Sequence, residues 1–156
     1  MFENTDKTSL NELGEFGLIQ HLTQAVELTQ SSTIKGIGDD AAVLDFANKK
    51  TLISTDLLLE GIHFDLRYVP LKHLGYKAVQ VNLSDIYAMN GIASQITFSI
   101  GLSSKFPLEA VEEIYEGALI ACKKFGVDLI GGDTSASAQG LVLSITSIGY
   151  ADEDKV

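Results

Sequence analysis

Aspartates stand at four places in this sequence where a structural element is predicted to begin, to end or to face inward. These are Asp39-Asp40, Asp56, Asp85 and Asp133. Hydroxyl side chains accompany them at Ser54, Thr55, Ser84 and Thr134. Oxygen donors of this kind suit hard cations such as Mg²⁺, and metal ions held by carboxylates can bind a polyphosphate. Each aspartate alone also fits a turn or a cap. As a set, they predict a metal–phosphate site.

The segment Gly36–Ala42 holds two of these carboxylates between flexible glycines and small alanines. Adjacent carboxylates repel each other, so a turn that holds both gains from a nearby cation or hydrogen-bond donor. A solvated acidic turn is the alternative interpretation. The spacing also matches a dinucleotide-binding fingerprint, but residues 31–35 make a poor strand and residues 43–46 look extended rather than helical. The sequence contains no P-loop motif.

Composition narrows the class of protein. The chain has 156 residues, of which 46% are apolar, and this is enough for one domain with a core. A formal net charge of −10 argues against binding to nucleic acid or to an anionic membrane. The single cysteine, Cys122, fits a reducing compartment, and no apolar run is long enough to span a bilayer. We therefore predict a soluble, cytoplasmic protein.

Hydrophobic periodicity and turn residues predict helices and strands in alternation. The predicted helices are 10–30, Pro70–Met89 and Pro107–Phe125, and the predicted strands are 42–46, 51–56, 94–102, 127–130 and 141–150. This order predicts an α+β fold with a sheet covered by helices on one face. Within the second helix, the stripe Leu74, Ala78, Val81, Asp85 and Met89 would turn Asp85 toward the core. A buried carboxylate needs a metal or a partner, and a helix rotated enough to leave Asp85 in water is the alternative.

The remaining reactive side chains carry a weaker signal. His63 lies beside Gly61 and Asp65, just beyond Asp56, where it could contact a ligand. Cys122 falls on the apolar face of the third helix, so we expect it to be inert. The histidines show no metal-ligand spacing, and no nucleophile–base pair is indicated.

Taken in order, six segments of the chain resemble the N-terminal half of the thiamine-monophosphate kinase family. They are Gly14-Glu15-Phe16, Gly36–Ala42, Ser54-Thr55-Asp56, Glu60–Asp65, Asn82-Leu83-Ser84-Asp85 and Gly131-Gly132-Asp133-Thr134. The resemblance implies an N-terminal domain, here residues 1–156, of a longer two-domain enzyme whose C-terminal domain is absent. It further implies a fold like that of aminoimidazole ribonucleotide synthetase, with a mixed, mostly antiparallel sheet through which two copies form a homodimer.

The activity implied by this resemblance is transfer of the γ-phosphoryl group of ATP to thiamine monophosphate, with Mg²⁺ as cofactor. The positions matching metal ligands are Asp40, Ser54, Thr55, Asp56, Asp85 and Asp133. Tyr115, Gly132 and Asp133 match nucleotide contacts, and His63 matches a substrate contact. No residue matches a protein base. A phosphate oxygen is already a nucleophile at neutral pH, so positioning and charge neutralisation would supply most of the rate.

Two other functions remain open at this point. The first is a related ATP-dependent synthetase of the selenophosphate or aminoimidazole ribonucleotide type, which would share the ATP-binding sheet and act on another substrate. The second is a non-catalytic dimerisation or metal-binding module. Asn90 stands where the family often has glycine, a change that a helix end tolerates.

Overall fold

The computed structural model describes residues 14–37, 43–138 and 140–152, with three helices and six strands in those ranges. In chain order the elements are α1 (Gly14–Thr23), β1 (Thr33–Lys35), β2 (Val43–Leu44), β3 (Lys50–Leu59), α2 (Leu71–Ala88), β4 (Ile92–Leu102), α3 (Leu108–Phe125), β5 (Asp128–Ala136) and β6 (Val142–Ala151). No helix in this described part is both long and apolar enough to cross a membrane.

The sheet is mixed and mostly antiparallel, as the family resemblance implied. Its strand order is β3-β6-β4-β5; β6 runs antiparallel to both β3 and β4, and β4 runs parallel to β5. The parallel pair is joined by α3, because parallel strands require a crossover connection. Strands β1 and β2 form a separate antiparallel pair. A strand rather than a helix therefore follows residues 36–42, which excludes the dinucleotide-binding fingerprint.

Helices α2 and α3 cover one face of the sheet, which leaves the other face open. Along β6, the alternate residues Leu143, Ile145 and Ser147 are fully buried beneath the helices. The two helices approach each other backbone to backbone at two glycines. A Cβ on Gly75 would lie 1.9 Å from the carbonyl oxygen of Ile114, and one on Gly117 would lie 1.8 Å from that of Lys72. This close approach fixes α2 over the sheet.

The first helix is shorter than predicted. The sequence predicted a helix as far as Gln30, whereas α1 ends at Thr23. The backbone N–H groups of Thr29 and Gln30 donate instead to the carboxylate of Asp128, 2.7 and 3.0 Å away. A buried acceptor at the start of β5 therefore takes the donors that a longer helix would have used.

The Gly131–Thr134 segment lies within a strand rather than after one. Residues 127–130 were predicted as a short strand that ends at this segment, but β5 continues to Ala136 and pairs with β4 as far as Leu102. Glycine is required at position 132 because a Cβ there would lie 1.9 Å from the carbonyl oxygen of Phe98 on β4. The glycine therefore serves the sheet, whatever else this segment does.

The helix boundaries at α2 and α3 agree with the sequence. Pro70 and Pro107 precede them in extended conformation, and Gly126 ends α3 in the left-handed region at φ 65°. Asn90 also has a positive φ, 56°, just after α2. Asparagine tolerates this conformation better than most residues, which accounts for its presence at a position where glycine would also fit.

Candidate functional site

The prediction that Asp85 faces the core is wrong. The buried residues of α2 are Leu74, Gly75, Ala78, Val79, Asn82, Leu83 and Ile86, so the inward stripe passes through Asn82 and Ile86. Neighbouring residues of a helix differ by about 100° in direction. Asp85, one position before Ile86, therefore lies on the exposed flank of the helix, where it is accessible to a ligand.

Asp85 nevertheless lies close to a second predicted ligand, because the flank of α2 runs beside strand β3. The hydroxyl of Ser54 on β3 donates to Oδ2 of Asp85 at 2.6 Å. Asp56 lies two residues further along β3 and so shares a sheet face with Ser54. The structure thus brings Ser54, Asp56 and Asp85 close to one another. We call these three residues, together with Asn82, the α2–β3 junction.

Asn82 holds the two elements of the junction together. Its side-chain oxygen accepts from the backbone N–H of Asp56 at 2.9 Å, and its amide group donates to the carbonyl of Ala78 at 2.9 Å. The hydroxyl of Ser147 on β6 donates to the Asn82 carbonyl at 3.0 Å. Asn82 is fully buried, so its bonds to Ala78 and Ser147 are shielded from water, and its bond to Asp56 is partly shielded. In the sequence analysis, Asn82 belongs to the motif Asn82–Asp85 but has no predicted role. A polar residue on the inward face of a helix was the signal that could have identified it.

The open face of the sheet carries two other predicted site residues. Thr55 points away from Ser54; its hydroxyl donates to the carbonyl of Ile145 at 3.1 Å and accepts from Thr146 at 3.1 Å. Asp133 is exposed and pairs with Ser99 across β4 and β5. Strands β6 and β4 separate β3 from β5, so Asp56 and Asp133 lie about 14 Å apart at the usual strand spacing.

Tyr115 connects α3 to the glycine-rich part of β5. Its ring packs against Phe98 with a centroid distance of 5.2 Å, and its hydroxyl is hydrogen bonded to Thr134, next to Asp133. Burial raises the pKa of the Tyr115 hydroxyl to about 12, and the bond to Thr134 opposes this shift. Tyr115 is therefore neutral at physiological pH. It is a core residue with one polar atom at the edge of the core.

His63 lies in an exposed loop that hydrogen bonds hold in place. Its Nδ1 accepts from the backbone N–H of Leu59 at 3.0 Å, which places the proton of the neutral ring on Nε2. Glu60, at the start of this loop, links it to the residue before β6, because its carboxylate accepts from the backbone N–H of Leu141 at 2.8 Å. Beyond it, hydrogen bonds from Arg67 lower the pKa of the exposed Asp65 carboxyl.

The donor set fits a hard cation but is incomplete in the part of the chain that the structure describes. Asp56 and Asp85 offer carboxylate oxygens and Ser54 offers a hydroxyl, which is the chemistry that Mg²⁺ prefers. Among the residues described, no three histidine, cysteine, aspartate or glutamate side chains lie close enough together to hold a metal. Asp39 and Asp40 lie outside the described residues, so the predicted role of Asp40 stays a prediction.

The fold and the family now define the class. Residues 38–151 match the family model "AIR synthase related protein, N-terminal domain". The match covers most of the chain, and the chain therefore belongs to this family. Its general architecture also resembles the structure "Hydrogenase Maturation Protein HypE in complex with ATP", with a TM-score of 0.68 at 20% identity, which concerns the fold alone.

Within that class, the chain is similar to thiamine-monophosphate kinases. It is 38% identical to that of Bacillus subtilis (strain 168), over 90% of this chain and 43% of the relative, and 36% identical to that of Aquifex aeolicus (strain VF5), over 92% and 44%. Its structure matches the thiamine-monophosphate kinase of Stenotrophomonas maltophilia K279a at a TM-score of 0.75 and 32% identity, over 89% of this chain and 43% of the other.

A further structural match is "AaThiL complexed with AMPPCP and TMP", with a TM-score of 0.65 and 34% identity, over 95% of this chain and 45% of that one. The chain thus spans less than half the length of the relatives that it matches. The resemblance inferred from the sequence motifs is confirmed, and so is the α+β fold.

Proposed function

We propose that this chain is the N-terminal domain of a two-domain kinase that transfers the γ-phosphoryl group of ATP to thiamine monophosphate. One observation carries the proposal. In a chain that is 34% identical to AaThiL, which was solved with AMPPCP and TMP, Ser54 and Asp85 are hydrogen bonded at the α2–β3 junction, and Asp56 shares the sheet face of Ser54. The rest of the protein would supply the remaining contacts to thiamine monophosphate.

The junction is the proposed Mg²⁺ site. Asp56 and Asp85 would supply carboxylate oxygens, Ser54 a hydroxyl, and Asp40 a further carboxylate. Bound there, Mg²⁺ would neutralise charge on the polyphosphate and orient its γ-phosphoryl group. Asn82 fixes the spacing between the two elements through its bond to the backbone of Asp56. Because the acceptor is an already ionised phosphate oxygen, no side chain of this domain needs to remove a proton.

The remaining predicted contacts are proposed for the nucleotide and the acceptor. Gly132 and Asp133 are neighbours in β5; Tyr115 is bonded to Thr134 on the helix-covered side of that strand, whereas Asp133 is exposed on the open face, where it is accessible to a ligand or a second cation. A metal-binding role for Thr55 would require its hydroxyl to leave the carbonyl of Ile145. His63 is proposed for the acceptor, because its Nε2–H can donate to a phosphate oxygen while Nδ1 is held by Leu59.

The proposed enzyme is a homodimer formed through the part of the open face around β3 and the start of β4, away from Asp133 on β5. Ile53, Leu57 and Ile92 leave large apolar side chains exposed, by 69, 51 and 55%. Ile53 and Leu57 share one face of β3, and Ile92 pairs with Tyr150 on the same side of the sheet. Exposed apolar surface of this kind is typical of protein–protein contacts.

Sedimentation of the Ile53→Asp variant tests this dimer. We expect dissociation to monomers, because a charge would be buried in an apolar contact. The matched control is Ile120→Asp, which adds the same charge at a partly exposed isoleucine of α3, outside the sheet. A dimer that withstands Ile53→Asp would refute this interface.

The activity is tested with the protein at its full natural length. Each reaction contains ATP, Mg²⁺ and one candidate substrate: thiamine monophosphate, selenide or formylglycinamidine ribonucleotide. The phosphorylated product and the nucleotide formed from ATP are both measured. The proposal expects thiamine diphosphate from the first and no turnover of the others. Turnover of either of the others would identify a related synthetase. Mg²⁺-independent nucleotide binding with no turnover would favour the non-catalytic module.

A further inference from the structure

The side chain of Glu60 ties the loop that carries His63 to the sheet. Glu60 directly follows β3, and its backbone N–H donates to the carbonyl of Leu141, the residue before β6, at 3.0 Å. Its carboxylate accepts in return from the backbone N–H of Leu141 at 2.8 Å. In a regular hydrogen-bonded pair of antiparallel strands, the backbone carbonyl would accept this second bond. Because the carboxylate accepts it here, the backbone of Glu60 can leave the strand while its pairing with Leu141 is kept.

The backbone before β6 accommodates the Glu60 carboxylate at close range. Leu141 is fully buried, and a buried backbone N–H without a partner costs free energy comparable to a lost hydrogen bond. The preceding residue, Gly140, leaves room for the carboxylate, because a Cβ at position 140 would lie 2.9 Å from Oε2 of Glu60. Gly140 also has a φ of 69°, a conformation that favours glycine.

Beyond Glu60, the chain folds back on Leu59 and fixes the ring of His63. The backbone N–H of His63 donates to the carbonyl of Leu59 at 2.9 Å, and the N–H of Leu59 donates to Nδ1 of His63 at 3.0 Å. These bonds orient the ring relative to Leu59. We call residues 59–64 the histidine loop.

Both ends of the histidine loop are attached to the domain. At the far end, Phe64 is buried in the core, and its carbonyl accepts from the backbone N–H of Gly61 at 2.8 Å. At the near end, Glu60 is bonded to Leu141 through both its backbone and its side chain. The direction of the His63 ring therefore depends on where Glu60 holds the start of the loop.

We propose that Glu60 is a positioning residue for His63 and thereby sets the affinity for the acceptor substrate. The inference rests on the proposed function, in which His63 donates from Nε2–H to the phosphate of thiamine monophosphate. Glu60 acts through the histidine loop and touches neither the metal nor the acceptor. A hydrogen bond weakens steeply when its angle is lost, so a displaced ring binds the acceptor less well. Nucleotide binding does not use this loop.

The test compares three substitutions of Glu60 in the protein at its full natural length. Glu60→Ala removes the acceptor of the Leu141 N–H. Glu60→Gln keeps an oxygen at the same reach and removes the charge, whereas Glu60→Asp keeps the charge and shortens the side chain by one methylene. The matched control is Asp65→Ala, which removes a carboxylate just beyond the histidine loop, where it is bonded to Arg67.

The acceptor KM is the quantity expected to change. Glu60→Ala and Glu60→Asp should raise the KM for thiamine monophosphate about tenfold, with kcat within about twofold of the wild type. Glu60→Gln should stay near the wild type, because the bond to Leu141 needs an acceptor and not a charge. The KM for ATP should stay within about twofold in all three variants, as should both KM values in Asp65→Ala. If Glu60→Ala does not fold, the comparison of Glu60→Gln with Glu60→Asp carries the test.

A second measurement does not depend on turnover. NMR of isotopically labelled histidine nitrogens reports which ring nitrogen carries the proton, and the signal of His63 is identified by its loss in His63→Gln. In the wild type, the neutral ring should be protonated at Nε2, as the bond from Leu59 requires. In Glu60→Ala both tautomers should appear, and in Glu60→Gln only the wild-type form.

Three results would overturn the inference. The first is an unchanged KM for the acceptor and an unchanged tautomer in folded Glu60→Ala. The second is the reverse pattern, in which Glu60→Asp behaves like the wild type and Glu60→Gln does not, because the charge itself would then act. The third is an equal rise in the KM for ATP, which would make Glu60 purely structural. A wild-type protein that does not phosphorylate thiamine monophosphate would instead refute the proposed function, and the tautomer of His63 would still decide whether Glu60 positions the ring.

Discussion

Two regions of this domain hold carboxylates in opposite ways. At the start of β5, Asp128 is fully buried and accepts four hydrogen bonds from residues 29–33. We call Asp128 and residues 29–33 the hairpin anchor, since Thr33 begins the β1–β2 pair. At the α2–β3 junction, Asp85 is exposed and, among the described residues, its carboxylate accepts a hydrogen bond from Ser54. A carboxylate whose acceptor capacity is filled has little left for a ligand. An exposed carboxylate with unused lone pairs contributes little to stability and is available to a cation. The comparison separates a carboxylate that organises the chain from one suited to binding.

The largest expected effect is on stability at the anchor. Asp128→Ala should lower the free energy of unfolding by about 3 kcal/mol, because it leaves part-buried donors without an acceptor and opens a cavity. Asp85→Ala should change it by less than about 0.5 kcal/mol, as is usual for exposed sites. Urea denaturation followed by circular dichroism measures both. Equal losses in the two variants would remove the distinction between the regions.

The second effect appears at alkaline pH. Burial, with the nearby charge of Asp128, raises the pKa of the Cys122 thiol from 9.0 to about 12. Burial raises the pKa of Tyr115 from 10.0 to about 12. As the pH rises, the thiol and the phenol lose their protons in the unfolded chain before they do so in the folded protein. The free energy of unfolding therefore keeps its full value below pH 9 and decreases between pH 9 and 12. The loss of stability due to Cys122 should reach about 3 kcal/mol near pH 11.

Cys122→Ala isolates that contribution. Its free energy of unfolding, measured by urea denaturation from pH 8 to 11, should fall less steeply with pH than that of the wild type. The difference between the two curves should begin near pH 9, the ordinary value for the thiol. Parallel curves would mean that the thiol is not shielded. The same burial predicts that Cys122 is unreactive toward alkylating reagents until the protein unfolds.

The third prediction concerns the junction. Asp85→Asn should weaken binding of a non-hydrolysable ATP analogue in the presence of Mg²⁺ by about tenfold, or about 1.4 kcal/mol, because it removes charge with little change of volume. Stability should remain within about 0.5 kcal/mol of the wild type. Calorimetric titration with and without Mg²⁺ measures the binding. If the affinity for the ATP analogue in the presence of Mg²⁺ is unchanged, Asp85 is not a metal ligand. The carboxylates of both regions would then have structural roles only.

Local signals in the sequence were sufficient for most of the fold. The prolines before α2 and α3 and the glycine after α3 set boundaries that the structure confirms, because such residues act through their own backbone. That residues as far as Gln30 do not continue α1 could not be predicted, since the acceptor of the Thr29 and Gln30 N–H groups lies about a hundred residues away, at Asp128. The extent of β5 likewise depends on its pairing with β4.

The sequence predicted which types of residue form the candidate site better than it predicted how their side chains are arranged. Periodicity located Asp85 on α2 but missed its direction, because the inward stripe is centred on Asn82 and Ile86. Alternation along β3 could have placed Ser54 and Thr55 on opposite faces, which is what the structure has. Asp128 gave one overlooked signal: a charged residue within the apolar run 127–130 requires a partner.

The smallest expected effect tests whether the Ser54–Asp85 bond belongs to the fold or to the site. Ser54→Ala removes one partly solvated hydrogen bond, so it should lower stability by less than about 1 kcal/mol. Its effect on Mg²⁺-nucleotide affinity should be non-additive with that of Asp85→Asn, because the hydroxyl and the carboxylate would serve one cation. A double-mutant cycle, measured by the same calorimetry, gives the coupling. Coupling of about 0.5 kcal/mol or more in binding, with less in stability, would assign the bond to the site. Coupling in stability alone would place the junction with the anchor, as a part of the structure that binds nothing.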